Sequence, residues 1–162
     1  MADDSRQHFL ELLKEFDNAM LVTRAQDGEL RARPMAIADT ERDGDLWFLT
    51  GIDAPKVDEI QADPNVNVSM QSKNRWLSIS GRAEIVRDRA LIEELWKELY
   101  EVWFPEGKDD PTLVLLRVRA TEGEYWDMQG GKGLKYMLDA TRAYLSGDTP
   151  NVDEEQSQKV NL

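Results

Sequence analysis

Hydrophobic and polar positions change period several times along the chain, and each change predicts an element. From Ser5 to Phe16 the apolar residues Phe9, Leu12, Leu13 and Phe16 recur at helical spacing, with Ser5 as the N-cap of an amphipathic packing helix. Ala19 to Arg24 then reads as a strand, Asp27-Gly28 supplies a hairpin turn, and a second strand runs from about Glu29 to Asp39. A turn at Arg42-Asp43-Gly44-Asp45 leads into Leu46-Trp-Phe-Leu-Thr50, whose aromatic and apolar residues suit a pleated surface. Three strands in antiparallel succession are the simplest arrangement.

After Gly51 the pattern predicts a short helix capped by Asp53, with Pro55 and Lys56 in its first turn and its end before Asp63-Pro64. Val66, Val68 and Met70 then alternate with Asn65, Asn67, Ser69 and Gln71, the clearest period-two run in the chain. Trp76 to Val86 is a long strand with Leu77, Ile79, Ala83 and Ile85 on one face, and Gly81 marks a bend or bulge. Asp88 to Trp103 returns to helical spacing, which makes Trp96 and Trp103 core residues and stops at Phe104-Pro-Glu-Gly107. Thr112 to Ala120 is apolar on both faces, as a central strand is, and Trp126 follows it. Leu134 to Leu145 reads as a last helix, and Gly147 to Leu162 as a loose polar tail unless a partner orders it. Residues 1–145 form one domain and 146–162 a C-terminal tail. About six strands with interleaved helices imply an antiparallel barrel or sandwich of the α+β class, mainly β.

Composition then removes whole classes of chemistry. The 162 residues contain no cysteine and one histidine, His8, so disulfide scaffolds, thiolate nucleophiles, thiolate or histidine metal sites and Ser-His-Asp hydrolysis are poor fits. Lys and Arg number 20 against 32 Asp and Glu, a formal net charge of -12, which argues against a general nucleic-acid binder. No apolar run reaches the roughly 18 residues of a spanning helix, and the N-terminus does not open as a signal peptide, so a soluble, cytoplasmic chain is expected. An anionic ligand needs a local basic inset in this acidic surface.

Arg31-Ala-Arg-Pro-Met35 offers one. Strand alternation puts Arg31, Arg33, Met35 and Ile37 on one face, and Pro34 implies an edge or opening. The arginines either lie on a solvated face paired with carboxylates or present guanidinium forks to an anion. Lys56 sits at a helix start whose dipole disfavours a cation, which a bound anion would explain. With Thr50 at the end of the intervening strand, Arg33 and Lys56 make a candidate cradle for one phosphomonoester. Trp76 and Trp126 either pack ordinarily or border a planar ring at a pocket or dimer rim. No side chain stands out as a general acid or base.

Several short motifs in order, from about residue 8 to about residue 128, carry a family resemblance. They are Arg33-Pro-Met35, Leu46-Trp-Phe-Leu-Thr50, Lys56-Val-Asp-Glu-Ile60, Asp63-Pro-Asn-Val-Asn-Val68, Ser80-Gly-Arg-Ala-Glu-Ile-Val86, Trp103-Phe-Pro-Glu-Gly107 and Glu124-Tyr-Trp-Asp127. Together they resemble the flavin-binding split-barrel superfamily of pyridoxamine phosphate oxidase-like proteins, in its bacterial general stress protein branch. The resemblance implies a homodimer of six-stranded antiparallel split β-barrels of Greek-key type, with peripheral helices and FMN at the subunit interface, FAD being tolerated. It also implies a general stress flavoprotein, a flavin-dependent oxidoreductase of unknown substrate. The alternatives are a flavin carrier or sensor and a cofactor-free dimeric interaction module.

Position by position, the resemblance makes Arg33 and Lys56 phosphate-binding and runs the backbone from Pro34 to Ala38, including Met35 and Ala36, along the flavin ring. Leu49 and Thr50 match the next strand end on the flavin, Trp76 a ring-contacting position, and Trp126 an aromatic brought by the second subunit. Pro55 stands where the oxidases carry an arginine, and Gln129 to Lys135 replaces their late arginine and histidine. Vitamin phosphate oxidation is therefore not expected, although Lys132 or Lys135 could meet another anion. Haem binding is disfavoured by the single distant histidine.

Overall fold

The computed structural model describes residues 2–40, 45–129, 131–147 and 157–162. Eight strands form one antiparallel sheet that curls on itself as a split barrel, with four α-helices around it. The strands are β1 (Asn18–Arg24), β2 (Leu30–Ala36), β3 (Asp39–Thr40), β4 (Leu46–Gly51), β5 (Asn65–Gln71), β6 (Arg75–Val86), β7 (Leu113–Asp127) and β8 (Ser157–Asn161). The helices are α1 (Ala2–Leu13), α2 (Pro55–Ala62), α3 (Arg89–Leu95) and α4 (Gly131–Ser146). The mainly-β antiparallel expectation holds.

The order across the sheet is β2-β1-β5-β6-β7-β4-β3, with β8 also paired to β7. Three strands in succession therefore do not form. β1 and β2 make the Asp27-Gly28 hairpin, with Gly28 at φ 86, but β4 pairs with β7 instead of β2. The first half of β7 pairs with β4 and its second half with β8, which is why its opening residues, Leu113 to Leu116, are all buried. β7 also runs further than its apolar start suggests, so Trp126 lies within it. The end of the polar tail is an ordered edge strand. The turn at Arg42 to Gly44 and the tail residues 148–156 lie outside the described residues.

Alternation fixes which face is inside. Val66, Val68 and Met70 of β5 and Leu77, Ile79 and Ala83 of β6 join Phe9, Leu12, Leu13, Leu21, Phe48 and Leu116 in one core, each fully buried large side chain contributing about 1.5–3 kcal/mol. Gly81 does stand at a bulge: the β6–β7 register shifts there, the unpaired extra residue being Thr121 on β7. Ser5 lies inside α1, where its hydroxyl bonds to Gln158 of β8 and ties the helix to the last strand.

The expected Asp88 to Trp103 helix breaks. Asp88 caps α3 by accepting from Leu91 N at 3.1 Å, but Trp96 is extended at φ -63, ψ 136, and a 3-10 helix, Glu98–Val102, follows in a new direction. The break turns Tyr100 inward to meet Trp96 edge-on at 5.8 Å and leaves Trp103 59% exposed, so Trp103 is not a core residue.

Candidate functional site

A cleft of about 360 Å³ opens where β2, β4 and the start of α2 face the 3-10 segment. One wall is Pro34, Met35 and Ala36 on β2, the edge strand where proline is tolerated. The floor is Leu49, Thr50 and Gly51 at the end of β4. The opposite wall is Tyr100, Trp103 and Phe104, and Asn18, Ala54 and Lys56 complete the lining.

Local structure explains the position of Lys56. Ile52 N bonds to Thr112 O at 2.8 Å and Ala54 N to Gly51 O at 3.1 Å, a tight turn that starts α2 directly above the end of β4. Ala54, not Asp53, occupies the N-cap, with no side-chain cap. Pro55 pre-sets the first turn, and Val57 and Ile60 bury the helix against the barrel. Lys56 Nζ then donates to the buried Thr50 Oγ1 at 3.1 Å. Burial, then the neighbouring Arg33 charge, push the Lys56 ammonium below its usual pKa, partly offset by Glu59. Such a partly desolvated cation with spare N–H donors suits an anion.

Arg33 stands behind this end of the cleft and does not line it. Its Nη2 donates to Glu59 Oε2 at 2.9 Å, and its Nη1 to Thr23 Oγ1 and, at 3.4 Å, to Leu21 O. Glu59 is buried, and the hydrogen bond from Thr23 is the main force holding its carboxyl below the usual range, with Arg33 and Arg31 adding to it against burial. Of the two explanations open for Arg33, the structure shows the pairing with a carboxylate, Glu59, close to Lys56. Arg31 lies further out, bonded to Asp27 at 2.7 Å.

Of the residues singled out from sequence, Pro34, Met35, Ala36, Leu49, Thr50 and Lys56 come together around one space. Trp76 and Trp126 do not line it; they are register partners on β6 and β7. Sequence reasoning missed Asn18, Glu59, Tyr100 and Phe104. Only for the last two was there a signal, in the aromatic run before Pro105. Tyr100 is 5% exposed and its hydroxyl is buried with no hydrogen-bond partner, a state that costs about 1–3 kcal/mol. His8 is engaged elsewhere, with Asp127 at 3.2 Å and edge-on to Tyr125. The side chains of Lys132 and Lys135 lie outside the described residues. Among the described residues no group of His, Cys, Asp and Glu is placed to hold a metal ion, and no helix is long and apolar enough to cross a membrane.

Residues 4–151 match the family "Pyridoxamine 5'-phosphate oxidase like". The chain belongs to this family. General stress protein 26 of Bacillus subtilis is 29% identical over 121 residues, 71% of this chain and 83% of that protein. Protein bli-3 of Neurospora crassa is 33% identical over 119 residues, 66% of this chain, but the match spans only 57% of bli-3. The crystal structure of the general stress FMN/FAD binding protein of Xanthomonas citri superposes with a TM-score of 0.65 at 31% identity, covering 77% of this chain and 89% of that one. The split-barrel fold and the general stress likeness expected from the motifs both stand.

Proposed function

We propose that this chain is a flavin-binding general stress protein that holds FMN in the β2/β4/α2 cleft and accepts FAD as well. The observation that carries the proposal is the Lys56–Thr50 pair, a desolvated cation and a hydroxyl at one end of a cleft whose remaining lining is mostly apolar and aromatic. The phosphate would be held by Lys56, Thr50 and the free N–H groups of Arg33. Pro34 to Ala36 and Leu49 would border the ring, with Tyr100, Trp103 and Phe104 opposite. The Xanthomonas citri relative, described as FMN/FAD binding, supports the same ligand.

The cleft is open to one side, which fits a homodimer whose second copy brings Trp126 to the ring. When bound, the flavin would supply one- or two-electron redox chemistry. The protein's own part is to neutralise the phosphate, exclude water from the ring and orient it. Among the described residues, Lys56 and Tyr100 are the only ionisable side chains in the lining, and neither is hydrogen-bonded to an acid–base partner. That scarcity favours a flavin oxidoreductase in which the cofactor does the chemistry, or a carrier or sensor, over substrate-specific acid–base catalysis.

An absorbance spectrum of purified protein with and without FMN tests the proposal. A bound-flavin spectrum with quenched fluorescence is expected; colourless protein that takes up no FMN refutes it. Bleaching by NADH or NADPH with multiple turnovers separates the oxidoreductase from the carrier.

A further inference from the structure

Behind the cleft, the buried carboxylate of Glu59 is paired with Arg33, and its charge also acts on Lys56. Arg33 spends Nη1 on Leu21 O and Thr23 Oγ1 and one Nη2 proton on Glu59. Its Nε–H has no acceptor among the described residues, and Nη2 carries a second proton beyond the one given to Glu59. Glu59 is fixed in place: its side chain is 7% exposed, and it accepts the Thr23 hydroxyl at 2.5 Å as well as Arg33. Lys56 lies one helical turn earlier on α2, on the same side of the helix.

Most other charges nearby are already paired. Arg31 of β2 is half exposed, bonded to Asp27, and 3.8 Å from Glu59. On β1, Arg24 pairs with Asp63 at 3.4 Å. On β6, which also packs on α2, Arg75 pairs with Asp127, Glu84 with Arg119, and Arg82 bonds to Asn65. Asp58 of α2 is exposed. The inner site therefore presents Arg33 and Lys56 less Glu59, a single net positive charge.

A phosphomonoester carries about two negative charges above its second ionisation near pH 6, whereas each phosphate of a pyrophosphate carries one. The geometry points to Glu59 as the residue that sets the charge class of the bound phosphate. By cancelling one of the two cations, it makes the site hold a singly charged phosphate, such as the pyrophosphate unit of a dinucleotide, as readily as a dianionic monoester. Glu59 does not line the cleft and acts through Arg33 and Lys56, so it is a specificity residue and not a ligand. This inference rests on the flavin proposal and deepens it to the phosphate.

The test is the affinity of riboflavin, FMN and FAD at about pH 5.5 and about pH 7.5, either side of the phosphate ionisation, for wild type and Glu59→Gln. Wild-type FMN affinity should change by less than about threefold between the two conditions, whereas Glu59→Gln should bind FMN about tenfold tighter at the higher pH, FAD less so, and riboflavin unchanged. An FMN-to-FAD ratio in Glu59→Gln equal to that of wild type, or a loss of FMN affinity, overturns the inference, because the carboxylate would then only hold Arg33 in place. The wild-type profile stands without the variant: an FMN affinity that rises about tenfold across the interval also overturns it.

If wild type binds none of the three flavins, the flavin proposal has failed. Inorganic phosphate, followed by calorimetry over the same interval, then tests Glu59 alone. Similar affinity at both pH values supports the inference; a steep rise with pH, or no binding, overturns it.

Discussion

Trp76 of β6 and Trp126 of β7 stand directly opposite each other in the sheet, on the face away from the core, and neither lines the cleft of its own chain. Half-buried tryptophans paired in this way keep part of their aromatic surface exposed. In the proposed dimer, Trp126 reaches the flavin of the other copy. Trp126→Ala should then weaken FMN binding roughly tenfold, about 1–2 kcal/mol, in a fluorescence-quenching titration. Its effect on thermal unfolding should be about 1 kcal/mol or less, the scale of a lost cross-strand pair. Unchanged FMN affinity would remove Trp126 from the site.

Lys56 is the cation of the cleft with the most direct claim on a phosphate. Lys56→Met keeps most of the side-chain volume and removes the charge. FMN affinity should fall roughly ten- to hundredfold, in line with about 1.5–3 kcal/mol for a charge-assisted bond, while riboflavin affinity stays level. Equal losses for both ligands would mean that Lys56 shapes the ring pocket and does not read the phosphate.

Glu59 also ties stability to pH. Its carboxyl is held below the ordinary range, chiefly by the Thr23 hydrogen bond, whereas in the unfolded chain it titrates near about 4.3. The stabilisation is therefore complete above the unfolded value and is lost as pH falls from there through the lower folded value. The urea midpoint should be flat near neutrality and decline on acidification below about pH 5. Glu59→Gln should lower the neutral plateau and make the decline shallower. An equally steep decline in the variant would assign the acid sensitivity to other carboxylates.

The bulge at Gly81 gives a prediction about packing. A Cβ there would lie 2.5 Å from the backbone oxygen of Arg119, which cannot step aside without moving β7. A Cβ at Gly123 would meet the Phe9 ring at 2.7 Å and the Leu162 side chain at 3.0 Å, groups that can shift when α1 and the C-terminus adjust. Gly81→Ala should destabilise by about 1–3 kcal/mol and Gly123→Ala by less, compared by urea unfolding. The reverse order would mean that the α1 docking surface is the more rigid of the two.

Patterns that are local in the chain could be read from sequence. The alternation of Val66, Val68 and Met70 placed β5 and its faces, and Gly81 signalled the bulge. Pro34 marked an edge strand, and Pro55 with Lys56 marked the start of α2. What was illegible depends on partners distant in sequence. Nothing near Leu46 says that β4 pairs with β7 and not β2, and nothing in the polar run before Leu162 says that Ser157–Asn161 adds to β7. Trp96 keeps helical spacing with its neighbours, yet the chain turns there, leaving Ile92 and Tyr100 buried and Leu99 68% exposed. That turn hid Tyr100 and Phe104 from the site. Glu59 was hidden for a related reason, since a glutamate on a short helix reads as solvated until Arg33 and Thr23 are seen to close around it.

The net charge of -12 surrounds a site whose inner charge is a single positive. At long range the field opposes an anionic flavin phosphate, and only within a few ångströms do Lys56 and Arg33 prevail, where burial weakens screening. Ionic strength should therefore act on the two rate constants differently. Raising salt from about 10 mM to about 150 mM shrinks the Debye length from about 30 Å to about 8 Å, which screens the repulsion during approach but leaves the partly buried contacts largely intact. Stopped-flow fluorescence should show FMN associating faster at the higher salt, with dissociation nearly constant. Riboflavin, which carries no phosphate, should associate at the same rate in both. A marked slowing of FMN association would mean that the basic inset steers the ligand from a distance, which one net charge within this acidic surface does not allow.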